Sequence, residues 1–161
     1  MSLIEKSINK YLIKNLKKKI KLFDVSLRDG LQSQQKIYTL QEKKDLLIKI
    51  INKFQPNEVE VGSLVNTKIL PQMNNSVELY KYAEEKYPEH NFFMLIPNLH
   101  KFMTAKSIGI KNMSFITSVS EEFQRKNINQ TIADTNYDLT MMTMDLDDNY
   151  KTKLYISCVD E

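Results

Sequence analysis

The stretch Phe23-Asp24-Val25-Ser26-Leu27-Arg28-Asp29-Gly30-Leu31-Gln32 carries more of the meaning of this chain than any other. An apolar run stops abruptly at Arg-Asp-Gly, so a buried strand would deliver a cation, a carboxylate and a carboxamide together at its C-terminal end. Taken alone, Asp29-Gly30 is an ordinary turn signal and Arg28 an ordinary solvated charge. On these residues alone the plainer reading leads, and the surrounding sequence has to decide.

Outward from that stretch, strand patterns alternate with helix patterns. Lys21 to Val25 is the first strand, and Thr39-Leu40-Gln41-Glu42 follows as a capping box, in which hydroxyl and carboxylate satisfy opposing backbone donors. Leu46, Leu47, Ile50, Ile51 and Phe54 make a helical face, and Glu58 to Val61 reads as a second strand. Asn75 is placed to cap a helix bearing Val77, Tyr80, Ala83 and Tyr87, ended by Pro88, before a strand over 92–96. Asn98 caps a short helix through Phe102 and Ile108, with Gly109 as its left-handed end. Met113 to Ile116 is a fourth strand, Ile132 to Met144 a last helix, and Leu154-Tyr155-Ile156 a fifth strand.

Serial strand-helix units with near-continuous apolar strands imply a parallel sheet under helical cover. Arg28 and Asp29, Ser63, Pro97-Asn98, Thr117-Ser118 and Ser157-Cys158 each follow one of the five strands. All these polar residues therefore collect at C-terminal strand ends, where α/β barrels display chemistry. A doubly wound open sheet would place ligands there too, but it usually announces a Gly-rich phosphate turn, which this sequence lacks.

Composition limits the choices further. With 42% apolar and 27% charged residues in 161, the chain has the make-up of one soluble domain, without an apolar run long enough to span a membrane. A single cysteine, Cys158, excludes an internal disulfide and fits a reducing compartment. Charge is uneven: residues 1 to 21 carry seven lysines against Glu5, a net +6, which leaves −3 on the rest of a chain whose total is +3. Ile4, Ile8, Leu12 and Leu16 recur every four residues among those lysines, so residues 1–20 read as a basic amphipathic helix. Packing beneath a barrel is its first reading, binding of anionic lipid or nucleic acid its second, and a mitochondrial presequence its third.

One family matches these words in order. Arg28-Asp29-Gly30-Leu31-Gln32, Glu60-Val61-Gly62-Ser63 and Lys68-Ile69-Leu70-Pro71-Gln72-Met73 resemble 3-hydroxy-3-methylglutaryl-CoA lyase, a metal-dependent (β/α)8 barrel. Pro97-Asn98-Leu99, Ser120-Glu121 with Phe123, Lys126-Asn127-Ile128-Asn129 and Tyr155-Ile156-Ser157-Cys158 continue the agreement, which spans residues 22 to 158. Barrels that make isopropylmalate or homocitrate share the Arg-Asp-Gly strand end but are less similar over Pro71-Gln72-Met73 and Lys126-Asn127-Ile128-Asn129.

The resemblance implies cleavage of a carbon-carbon bond to give acetyl-CoA and acetoacetate, with Mg²⁺ or Mn²⁺ holding substrate oxygens. By the same resemblance Asp29 is a metal ligand, Arg28 stabilises charge on the thioester oxygen, and Glu60 holds the Arg28 guanidinium. Gln32 and Ser63 orient substrate or metal-bound water. Each has a plainer role available: Glu60 as a charge balance, Ser63 as a loop cap. The family also supplies a His-x-His pair, an Asn ligand and a reactive loop Cys, none of which stands in this sequence. His90 and His100 are read as surface residues, and Cys158 as a buried strand-end thiol rather than the loop thiol.

The expectation is therefore an α/β fold, a partial (β/α)8 TIM barrel of about five parallel strands with flanking helices. A basic helix over 1–20 precedes an incomplete barrel domain over 21–161. Five strands leave open edges, so a homo-oligomer or a complementing chain that completes the barrel is the expected partner beside the acyl-CoA. Metal binding and activity by the chain alone are expected to be weak or absent. The alternative is a non-catalytic remnant that binds through its open sheet edge or its basic helix. A cytoplasmic location is preferred to a mitochondrial one, and nucleic acid ranks low. Asp145, Asp147 and Asn149 begin a calcium-loop pattern that Tyr150 and Ile156 spoil, and Met141, Met142 and Met144 read as core filler.

Overall fold

A computed structural model describes residues 21–159; the basic segment read as a helix over 1–20 lies outside them. Among the described residues, five parallel strands run in the order β1-β2-β3-β4-β5: β1 Phe23–Asp24, β2 Glu58–Ser63, β3 Asn91–Leu95, β4 Asn112–Ser118 and β5 Lys151–Ser157. Between them lie α1 (Leu40–Phe54), α2 (Ser76–Lys86), α3 (Leu99–Ser107), α4 (Glu121–Ile128) and α5 (Ile132–Met144). Each strand lies beside its predecessor, so the sheet is wound in one direction and curls into half a barrel, as the sequence implies.

The curl is measurable. In a flat sheet β2 and β5, three steps apart, would be separated by about 14 Å. Here Lys153 Nζ stands 2.7 Å from Glu58 Oε2, and the Tyr155 hydroxyl donates to Glu60 Oε2 at 3.2 Å. The two faces of the sheet have divided the labour. On the convex face Val59, Phe92, Met94, Met113 and Phe115 pack in one cluster with Leu47, Leu79, Ala83, Phe102 and Ala105 from the helices. Glu58, Glu60, Lys153 and Tyr155, with Phe23 and Phe93, form the concave side.

Local chemistry explains the helix boundaries. Thr39 and Glu42 form the expected capping box, and Asn98 accepts from the Lys101 N–H at 3.0 Å. A second box, Thr131 with Asp134, opens α5 at its predicted start. Gly109 takes a φ of 85°, beyond reach of most side chains. Gly62 serves closeness instead, because a Cβ there would stand 2.3 Å from Ser76 Oγ, so only glycine lets α2 approach β2.

Three expectations are corrected, and one helix is added. β1 is two residues long, since the chain leaves the sheet after Asp24 and coils into a π-helical turn over Ser26–Gly30. Asn75 makes no side-chain cap; it sits at a φ of 63°, and the Ser76 hydroxyl turns back to the Met73 carbonyl at 2.7 Å. α4 was not legible in the sequence, because it buries only Gln124 and so has no apolar stripe. Of the three methionines on α5, only Met142 is core; Met141 and Met144 are exposed.

The far side of the half-barrel is bare. Leu154 and Ile156, on the convex face of β5, are 49% and 53% exposed. No helix of the described residues is long and apolar enough to cross a membrane.

Candidate functional site

The π-helical turn after β1 is what aims the Arg-Asp pair. Backbone N–H groups of Arg28, Asp29 and Gly30 all converge on the Val25 carbonyl, at 3.1, 2.8 and 3.2 Å. That tight coil buries Leu27 in the core and swings Arg28 over the concave face, while the Asp29 side chain stays 63% exposed. A β-bulge between Glu60 and Gly62 shifts the register of β2 against β3 next to the Glu60 carboxylate.

Four side chains then meet. Arg28 Nε donates to Glu60 Oε2 at 2.5 Å, and Arg28 Nη1 donates to Asp29 Oδ1 at 2.7 Å. The Arg28 guanidinium carbon lies 5.2 Å from the centre of the Tyr155 ring, and the Tyr155 hydroxyl adds a second donor to Glu60 Oε2. Glu60 is wholly buried, and its Oε1 has no hydrogen-bond partner among the described residues. An acceptor left free in a buried site is costly unless a water or ligand serves it.

Electrostatics keep these groups in defined states. Burial works against the Arg28 charge, but the Glu60 carboxylate with its hydrogen bond, seconded by Tyr155, outweighs it and raises the guanidinium pKa. Burial first, then the negative charge of Glu60, pushes the Tyr155 phenol up to about 12, so at neutral pH it is a proton donor. The ion pair is buried, so its integrity matters more than its net worth: removing one partner would strand the other charge.

The loops around the mouth are tied to one another. Lys43 on α1, almost wholly buried, donates to the Gln72 carbonyl at 2.7 Å and to the Asn74 carbonyl. Burial pulls its ammonium below the ordinary lysine range, against the pull of Glu78. Gln72 Nε2 in turn donates to the Gln34 carbonyl at 2.7 Å, which joins the loop after β2 to the segment after Arg28-Asp29-Gly30.

Of the residues singled out by sequence, Arg28, Asp29 and Glu60 come together. Gln32 is exposed nearby. Ser63 is buried, and its hydroxyl is spent on the backbone, donating to the Leu95 carbonyl at 3.2 Å and accepting from the Val65 N–H at 3.1 Å. His100 is exposed as expected, but His90 is not a surface residue: its Nδ1 stands 3.0 Å from the Pro56 carbonyl, between Tyr87 and Phe92. Cys158 is half-buried, at a φ of 62°, rather than buried. Asp147 and Asn149 close an exposed turn, in which the Asn149 N–H donates to Asp147 Oδ1.

Two contributors escaped sequence reasoning. Tyr155 shares a strand face with Lys153, but its partner Glu60 lies 95 residues away and no local pattern points to it. Lys43 shares its helix face with Leu47 and Ile50, where a lysine usually keeps its ammonium in water, so nothing in the sequence announces that this one is spent on the Gln72 and Asn74 carbonyls.

No cluster of three His, Cys, Asp or Glu side chains able to hold a metal ion is found among the described residues. The mouth offers one exposed carboxylate, Asp29, whose Oδ1 already accepts from Arg28 Nη1. Such hard oxygen donors fit Mg²⁺ or Mn²⁺, which complete their coordination with water and substrate.

Comparison with known proteins adds a family dimension. The HMGL-like family model matches residues 19–160. A Pseudomonas aeruginosa protein named 3-hydroxy-3-isohexenylglutaryl-CoA/hydroxy-methylglutaryl-CoA lyase is 31% identical over 149 residues, which is 90% of this chain and 48% of that protein. The human mitochondrial hydroxymethylglutaryl-CoA lyase is 32% identical over 145 residues, 89% of this chain and 44% of its own length. In three dimensions the hydroxymethylglutaryl-CoA lyase of Pseudomonas aeruginosa superposes with a TM-score of 0.74 at 30% identity, over 87% of this chain and 46% of that one. The chain thus spans about half the length of the relatives it matches.

Proposed function

The chain belongs to the HMGL-like family, and on that premise we propose that its concave mouth is part of a carbon-carbon lyase site acting on 3-hydroxy-3-methylglutaryl-CoA or a close acyl-CoA. The reaction would remove the proton from the C3 hydroxyl, break the C2–C3 bond and pass the electrons to the thioester oxygen. Acetoacetate leaves, and the acetyl-CoA enolate is protonated at C2. The observation that carries this reading is the Arg28 guanidinium, held on its inner side by Glu60 and Tyr155 and opening beside the exposed Asp29.

Arg28 is the catalytic residue, because a fixed, permanently charged fork suits an oxygen that gains negative charge only as the bond breaks. Glu60 and Tyr155 hold that fork in place, and Gln32 and Ser63 would orient substrate or metal-bound water, Ser63 only by giving up its backbone partners. Asp29 would hold a divalent cation, Mg²⁺ or Mn²⁺, which when bound draws charge from substrate oxygens. The five strands described supply half of such a barrel, so activity is expected only where the other half of the barrel is present. The lone cysteine fits a reducing compartment, of which the cytoplasm is the one preferred here.

A binding module without catalysis is the second reading, favoured by the bare Leu154 and Ile156 row on β5. Both readings meet one test: the chain is mixed with the portion of the Pseudomonas aeruginosa lyase beyond the matched region. Acetoacetate released from 3-hydroxy-3-methylglutaryl-CoA by the mixture, and lost with Arg28→Met, is the expected result. Association of the two pieces without any release would favour the binding module.

A further inference from the structure

β5 is the least buried strand, yet two of its side chains cross the concavity to β2. Lys153 Nζ pairs with Glu58 Oε2 at 2.7 Å and lies 4.5 Å from the ring centre of Phe23 and 5.2 Å from that of Phe93. Those two rings meet edge to face at 5.4 Å. Two residues further along each strand, the Tyr155 hydroxyl reaches Glu60. Same-face neighbours on a strand are about 7 Å apart, so 58–153 and 60–155 are two rungs of one ladder bridging β2 and β5.

Backbone pairing with β4 sets the register of β5, from Asn112↔Lys151 to Ser118↔Ser157, but not how far the sheet curls. Curl is a soft coordinate here, because two strands separate β2 from β5 and the convex face of β5 lacks cover at Leu154 and Ile156. Concave-face contacts add to strand pairing and helix packing in fixing it. The upper rung is a 3.2 Å hydrogen bond from a ring over which the Arg28 guanidinium also lies at 5.2 Å, whereas the lower one combines an ion pair with an ammonium held against two aromatic rings.

We infer that Lys153 is a positioning residue: by pairing with Glu58 over Phe23 and Phe93 it sets the curl of the sheet, so that Tyr155 reaches Glu60 and flanks Arg28. The inference rests on the reading of Arg28 and Glu60 as the working end of a lyase site, and gives that site a brace which never touches substrate. Both ends of the brace lie within the described residues.

A fluorine label tests it. 3-Fluorotyrosine placed at position 155 reports by its ¹⁹F resonance whether the phenol is bonded to Glu60. Lys153→Met keeps the stem and removes the charge, and its resonance is expected to move most of the way to the position in the urea-unfolded chain. Lys153→Arg and the exchanged pair Glu58→Lys with Lys153→Glu are expected to return it. A resonance unmoved by Lys153→Met overturns the inference, and so does a movement that neither rescue reverses, since packing of the stem would then be the cause. Should Lys153→Met fail to fold, Glu58→Gln takes its place with the same expected and overturning results. The signal needs no substrate, so a chain that passes here and yields no acetoacetate in the complemented mixture fails as a lyase and keeps its brace.

Discussion

β2 and β5 look at each other across the same concavity and are built on opposite terms. From Val59 to Ser63 every residue of β2 is buried, while β5 alternates exposed with half-buried positions along its length. The buried ion pair of the mouth joins Glu60, on the strand whose two faces are covered, to Arg28 on the turn after β1. β5 contributes by reach alone, through Lys153 and Tyr155. A fraction of a barrel can therefore hold a defined half-site, provided that the charges lie in the covered half and the open half sends only side chains.

That contrast is open to direct attack. Glu60→Ala strands a buried guanidinium and should cost about 3–5 kcal/mol, read from urea unfolding at pH 7. Ile156→Ser on the bare face of β5 should stay within about 0.5 kcal/mol. Equal losses at the two positions would erase the distinction between the strands.

Gly62→Ala probes the covered side more gently, through the Cβ that would fall 2.3 Å from Ser76 Oγ. Overpacking of this kind costs about 1–3 kcal/mol, and Ser76→Gly in the same chain should recover part of it. A neutral Gly62→Ala would mean that α2 can retreat from β2, and that the covered half is looser than its geometry suggests.

The smallest effect concerns pH. The hydrogen bond from Lys36, then those from Thr39, hold the Glu42 carboxyl down to about 2 in the capping box of α1. A carboxylate lowered in the folded state adds stability above its unfolded pKa and loses it as pH falls from about 4.5 toward 2. The unfolding midpoint should therefore fall between pH 5 and pH 2.5, and Glu42→Gln should flatten that part of the curve. An unchanged curve in the variant would remove this box from the helix's account.

Legibility followed the same divide. α5 runs from Ile132 to Met144 as read, because Thr131 and Asp134 write its start into the sequence. β3 and β4 are legible as apolar runs and β2 by its Glu-Val alternation; Arg28 and Asp29 stand out because strand ends collect polar groups, whereas Glu60, in mid-strand, is reached only through the family resemblance. α4 was lost because a helix that buries one glutamine has no period to detect. Tyr155 and Lys153 were given no role because their partners are 95 and 95 residues away, on Glu60 and Glu58, and only the curl of the sheet brings them together. The shortness of β1 escaped for another reason: the π-helical turn depends on three N–H groups sharing the Val25 carbonyl, and no side chain announces that.

The central claim is that Asp29 meets the Arg28–Glu60 pair in one shared mouth able to receive a divalent cation. Paramagnetic line broadening of the amide spectrum during a Mn²⁺ titration tests it most directly. The account predicts broadening concentrated on residues 28–32 and 60–63, removed by Asp29→Asn with the remaining resonances in place. Broadening centred elsewhere, or unaltered in Asp29→Asn, would contradict it.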